Sequence, residues 1–319
     1  MGTEIYNFLL NKILFIFYFE HNQMNVKEYI ENMKSIQVNV IQYLDQKENT
    51  EENYQNLIQM LNEQKILESK DKMKPFLYLL SNLVDNHHRK TDFYSKIEKI
   101  LHYFQNKIKV FSNIEIYHFF ENNKKILLFL VESKILIFND KIQNLLPKQH
   151  KLYFDPEIRK KIDNSNTSYL IEFPENFYEK RKTGENDHLL YEIIRNDLID
   201  DFISNLNDNN FSINSIISDS IFETNLFLLS NKETTIIEYA AFFGAIQIFS
   251  YLLSKGANLT ERIWLYAIHS DSIELINFIQ NNCSYVIPYS YIECIKEAIA
   301  CHHNQLFDHF LKLENKNDQ

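Results

Sequence analysis

Glycine is nearly absent from this chain: four residues in 319, beside five prolines. So few turn-formers exclude a sandwich or barrel, which needs a tight turn roughly every 8–12 residues. Four isolated glycines also cannot cradle a phosphate, which excludes P-loop and dinucleotide-fold chemistry. Neither a G-x-S-x-G elbow nor an H-E-x-x-H helix occurs. Cysteine is sparse and odd in number: Cys283, Cys294 and Cys301 fall near the end of the chain and define no disulfide framework, so a reducing, cytoplasmic setting is expected. Positive charge is in deficit as well, with 33 Lys and Arg against 43 Asp and Glu and a net charge of −10. No nucleic-acid partner is expected from that balance.

What is present is helical periodicity in a chain that is 45% hydrophobic and 24% charged, an ordinary composition for a folded protein. From Val26 to Leu44 the positions Val26, Tyr29, Ile30, Met33, Ile36, Val40, Ile41 and Leu44 recur at three and four, the helical spacing. Similar runs occupy Tyr54 to Ile66 and Phe76 to Val84, and "TDFYSKIEKILHYFQNKIKVF" continues the procession with Thr91 or Asp92 as N-cap. A helix stop at Asn122-Asn123 makes the flanking helices antiparallel neighbours. The polar "PKQHKLYFDPEIRKKIDNSNTS" reads as the least regular stretch, and a boundary is expected near residue 180.

Ahead of the periodic region, "IYNFLLNKILFIFYF" (Ile5 to Phe19) is apolar but shorter than a span of about 20 residues. It lacks a basic n-region and a small-residue cleavage site. Residues 1–23 are read as an extension, with translation from Met24 favoured; a membrane anchor at residues 5–19 is the alternative.

The stretch "TTIIEYAAFFGAIQIFSYLLSKGAN" holds two of the four glycines. Thr235 and Glu238 have capping-box spacing, so a helix starts there. Ala240 and Ala241 permit close helix approach, Gly244 supplies the positive φ of a tight turn, and Gly256 is the C′ residue of the second helix. Two glycines thus punctuate an antiparallel helical pair.

On these residues the stretch resembles an ankyrin repeat: the opening Thr235, the paired Ala240-Ala241, the inter-helix Gly244, the "YLL" triplet and the closing Gly256-Ala257. Ile236 and Glu238 stand where the motif has Pro and His, which puts the motif histidine's inter-repeat hydrogen bonds in doubt. Downstream, Ala267-Ile268 and Asp271 repeat the pattern at an offset of 27 (267 − 240), and Ala298-Ile299 at a further 31 (298 − 267). Both are short of the ankyrin period of about 33. Upstream, "LLYEIIRNDLIDDFISNL" is a degenerate copy with Asp197 at its turn, and residues 207–231 form an insertion. From Met24 to about Leu313 the chain resembles a group of ankyrin-repeat proteins, expanded in some unicellular eukaryotes, in which a helical domain of unknown function leads into shortened repeats. The resemblance implies an all-α helical-hairpin solenoid: a helical array over 24–180 and ankyrin-like repeats over 181–315. It further implies a non-enzymatic scaffold or adaptor whose concave face binds an unidentified protein. Glu233, Glu238, Tyr239 and Phe242 are expected to be exposed there.

Other features receive plain readings. The cluster "CHHNQLFDH" (Cys301 to His309), with Cys294 before it, has zinc-ligand types at no zinc spacing and reads as helix-surface histidines beside a buried cysteine. "NHHRK" (Asn86 to Lys90) reads as a solvated loop and "EKRKTG" (Glu179 to Gly184) as a solvated linker. Asp200 and Asp201 face different sides of a helix, and Trp264 is expected to pack in the core. No cofactor or metal is expected.

Overall fold

The computed structural model of the chain describes residues 26–48, 50–64, 69–89, 92–162, 173, 176–209, 211–283, 285–288 and 290–317. Residues 1–23, with the candidate anchor at 5–19, lie outside them. The described residues are all-α: they hold no β-strand beyond one isolated bridge, Ile216 to Thr235, and no helix long and apolar enough to cross a membrane. They divide into two compact units. The first comprises the residues up to Val84, Arg89–Glu121 and Ile126–Leu145; the second comprises Asp85–His88, Asn122–Lys125 and the chain from Leu146.

The first unit begins with α1 (Val26–Asp45), α2 (Glu51–Glu63) and α3 (Lys70–Asn86). It continues with α4 (Phe93–Tyr103), the one-turn α5 (Gln105–Ile108), α6 (Asn113–Phe120), α7 (Lys124–Glu132) and α8 (Asp140–Leu145). The periodic positions Ile36, Val40, Leu44, Leu57, Leu61, Leu80 and Leu83 are buried, as their spacing requires. Polar side chains close the helix ends. Thr50 accepts from the Asn53 N–H at the start of α2, and Ser112 with Glu115 forms a capping box on α6. The fully buried Lys96 donates Nζ to the carbonyls of Leu44 and Gln46, 3.1 and 2.7 Å away, and pairs with Asp92 at 3.0 Å. A cation thus satisfies carbonyls that α1 leaves without intrahelical partners. The run after Asp92 divides at Phe104 into α4 and α5.

The second unit holds α9 (Asp155–Ile162), α10 (Phe177–Thr183), α11 (Leu189–Arg195), α12 (Ile199–Asn209), α13 (Leu226–Ser230) and α14 (Ile236–Phe243). Then come α15 (Ile246–Ser254), α16 (Ile263–His269), α17 (Ile273–Asn282), α18 (Tyr291–Ala300) and α19 (Asn304–Asn317). The chain from Leu146 onward belongs wholly to the second unit. The stretch read as irregular builds α9 there and buries Tyr153 and Phe154. The supposed linker around Arg181 is the helix α10: the Arg181 guanidinium is buried at 2.9 Å from Glu157, and the Tyr153 hydroxyl donates to the Arg181 carbonyl. The residue 207–231 insertion is partly helical, as the end of α12 and as α13.

His150, also in this unit, is buried, and its Nδ1 has no hydrogen-bond partner. Burial, aided by the nearby Lys124, lowers its pKa from 6.5 to about 4. Between those values the unfolded chain binds a proton that the folded chain does not, so stability is full above pH 6.5 and declines as pH falls toward 4. His150→Leu is expected to flatten this part of the stability profile, measured by urea denaturation at stepped pH; an unchanged slope would show that His150 is not held neutral.

Candidate functional site

Four helical pairs, α11–α12, α14–α15, α16–α17 and α18–α19, repeat one device. Each pair turns through a residue with left-handed backbone: Asp197 (φ 50°), Gly244 (φ 69°), Asp271 (φ 54°) and His302 (φ 61°). The first helices follow one another in contact, α11 on α14, α14 on α16 and α16 on α18, and α12 lies against α15. One continuous core runs through them, from Leu190 and Ile194 through Ile237 and Ala240 to Ala267, Ala298 and Phe310. The four alanines Ala240, Ala241, Ala267 and Ala298 are fully buried, as close approach between helices demands.

The turns themselves touch. The Asp197 carboxylate accepts from the backbone N–H groups of Gln247 and Ile248, each at 3.0 Å, and so caps α15 in the next pair. A Cβ on Gly244 would lie 3.3 Å from Ser270 Cβ, in the following turn. Thr235 and Glu238 form the capping box on α14, and Gly256 (φ 84°) follows the C-cap of α15.

Three residues expected on an exposed face are instead inside. Glu238, Tyr239 and Phe242 are buried, and of that set Glu233 alone is exposed. The cause is the position of α14, flanked by α11 and α16, which leaves "IIEYAAFF" little free face. Tyr239 accepts from Arg195 on α11 at 2.9 Å, and Phe242 stacks on the His269 ring of α16. Glu238 bonds Thr235 and accepts from the Thr260 hydroxyl in the next connection. That bond links α14 to the connection that leads into α16. Trp264 is in the core, its Nε1–H donating to the Val286 carbonyl at 2.9 Å.

The histidines also depart from expectation. His87 and His303 are buried and the His88 side chain is 10% exposed, so "NHHRK" is no solvated loop and His303 is not on a helix surface. The rings of His87, His88 and His303 converge, with centroids 4.3 to 5.2 Å apart. Nδ1 of His87 donates to the Cys301 carbonyl and Nδ1 of His303 to the Ile268 carbonyl, both at 2.8 Å. Nδ1 of His88 lies 3.1 Å from Nε2 of His303.

A second cluster sits beside it. His269 Nε2 is 2.7 Å from Glu297 Oε1, and Cys301 Sγ is 3.5 Å from His269 Nδ1. Acid, imidazole and thiol in that order have the connectivity of a nucleophilic triad. Cys301 is nevertheless fully buried, and burial pushes its thiol pKa well up, so the reactive thiolate is disfavoured. Cys283 and Cys294 are buried as well, with Cys294 pushed up to about 12. Sequence reasoning missed both clusters because their members lie on separate elements: His269 ends α16 and Glu297 is in α18, while His87 and His88 are more than 200 residues from His303.

No protein-family model matches the chain, and no curated protein and no solved structure is detectably similar to it.

Proposed function

We propose that the chain is a non-enzymatic interaction scaffold, its second unit a stack of shortened ankyrin-like pairs that grips another protein by the connections between pairs. The reading rests on the resemblance of Thr234 to Asn258 to an ankyrin repeat and on the turn-over-turn contacts of the four pairs. One observation carries the choice of surface. Large apolar side chains stand exposed on connections that precede first helices: Phe211 and Ile216 before α14, and Tyr285 and Ile287, 70% and 66% exposed, before α18. Exposed apolar side chains on loops braced by a rigid scaffold are the usual anchors of a partner. Glu233, on the connection leading into α14, adds a charge at the rim. The buried, high-pKa cysteines support a non-enzymatic reading and fit a reducing, cytoplasmic compartment.

The test is affinity capture with the full chain beside two variants, Tyr285→Asp with Ile287→Asp, and Glu233→Lys. A protein held by the parent and lost by the double variant, with unchanged thermal melting, is the expected result; Glu233→Lys should weaken capture less. Recovery of the same proteins by all three would place binding away from the connections.

A further inference from the structure

The stacking of turns has a chemical by-product. Just as Asp197 leans on α15, Asp271 at the turn of α16–α17 leans toward the next turn, its carboxylate 3.7 Å from His303 Nδ1. The same carboxylate lies 3.8 Å from His88 Nδ1. Register between successive turns therefore sets an acid against His303, and the segment Asp85–His88 of the same unit lays two more imidazoles on them.

We propose that His87, His88 and His303 form a binding site for a divalent transition-metal ion of the zinc class, the Asp271 carboxylate, 3.8 Å from His88 Nδ1, moving in as fourth ligand. Four features of the geometry carry this. First, one ring nitrogen from each histidine lies within 4.8 Å of the others, near enough for small side-chain rotations to bring all three onto one ion. Second, a backbone carbonyl can only accept, so Nδ1 of His87 and of His303 carries a proton, which leaves Nε2 as the ring atom that would ligate. Metal-ligating histidines are oriented by such outer bonds, which fix the tautomer and raise the basicity of the ligating nitrogen. Third, the 3.1 Å between His88 Nδ1 and His303 Nε2 is close to the edge of a tetrahedron with metal–nitrogen bonds of about 2.0–2.1 Å, roughly 3.3 Å. Fourth, the donor set is imidazole with one carboxylate, which suits zinc, copper or nickel and not magnesium or calcium; a closed tetrahedral N₃O shell favours zinc.

With Asp271 drawn in, no position on a tetrahedral ion stays open, so the ion would be structural. It ties residues separated by 214 and 215 positions in sequence, and its binding energy adds to the stability of the fold. The site is independent of the interaction surface, since neither Tyr285 nor Ile287 belongs to it.

The experiment titrates chelator-stripped full-length chain with zinc(II), and with cobalt(II) as a spectroscopic probe. Expected are one equivalent bound, visible cobalt bands of a tetrahedral site without a sulfur-to-cobalt charge-transfer band, and a thermal midpoint raised by zinc and restored by chelator. His88→Ala, at a side chain that is 10% exposed, should weaken zinc binding by more than about tenfold. Asp271→Asn keeps a residue that tolerates the left-handed turn and should weaken binding while the apo protein melts normally. Cys301→Ser should bind as the parent does. The proposal is overturned if no stoichiometric binding occurs, which leaves a direct hydrogen bond between His88 and His303. It is equally overturned if His88→Ala binds like the parent, or if a thiolate band appears and vanishes in Cys301→Ser, which moves the ion to His269, Glu297 and Cys301.

Discussion

Trp264→Ala is expected to cost the second unit about 3–5 kcal/mol, the usual loss when a buried tryptophan is truncated and its cavity stays partly open. The indole is buried on α16, meets the Phe310 ring edge-on at a centroid distance of 6.1 Å, and donates to the Val286 carbonyl. Truncation therefore removes core packing and orphans a buried acceptor in the connection that carries Tyr285 and Ile287. Trp264→Phe separates the two losses: it keeps most of the volume and should cost about 1–3 kcal/mol for the unpaired carbonyl and the residual gap. Circular dichroism in urea is the measurement, because this is the sole tryptophan and its fluorescence disappears with it. A loss below about 1 kcal/mol for the alanine variant would mean that α16 is not packed as described.

Gly244→Val is expected to cost about 2–3 kcal/mol, through two effects that act together. A β-branched residue at φ 69° is held in a backbone region that it rarely visits. Its Cβ would also press on Ser270 Cβ at 3.3 Å, in the next turn. Gly244→Asn should cost less than half as much, since Asn accepts left-handed backbone and the equivalent turns already hold Asp197 and Asp271 at positive φ. Thermal melting of the two variants side by side is decisive. If valine melts with the parent, the turn does not depend on glycine.

Much of this fold was legible from periodicity. Apolar residues at three and four placed α1 to α4, and the Thr235–Glu238 spacing with Gly244 and Gly256 gave α14 and α15 nearly to the residue. Those signals are local, encoded within one or two helical turns. The failures were all matters of long-range burial. Nothing within "IIEYAAFF" says that both flanks are occupied, so Glu238, Tyr239 and Phe242 looked available. A basic run such as "EKRKTG" reads as solvated until Glu157 is known to reach Arg181. The histidine cluster was invisible for the same reason: its spacing in sequence matches no metal motif because the turns, not the helices, assemble it.

The bond from Asp197 to the start of α15 links elements fifty residues apart. In nearest-neighbour statistics such a link is a coupling energy: opening one pair strands a carboxylate in the previous one and bares a helix end in the next. When coupling of this kind is large beside the intrinsic stability of a single pair, boundaries between folded and unfolded pairs become rare. The stretch from α11 to α15 then melts as one block, and the slowest amide hydrogens of α11 and α15 exchange at a common rate.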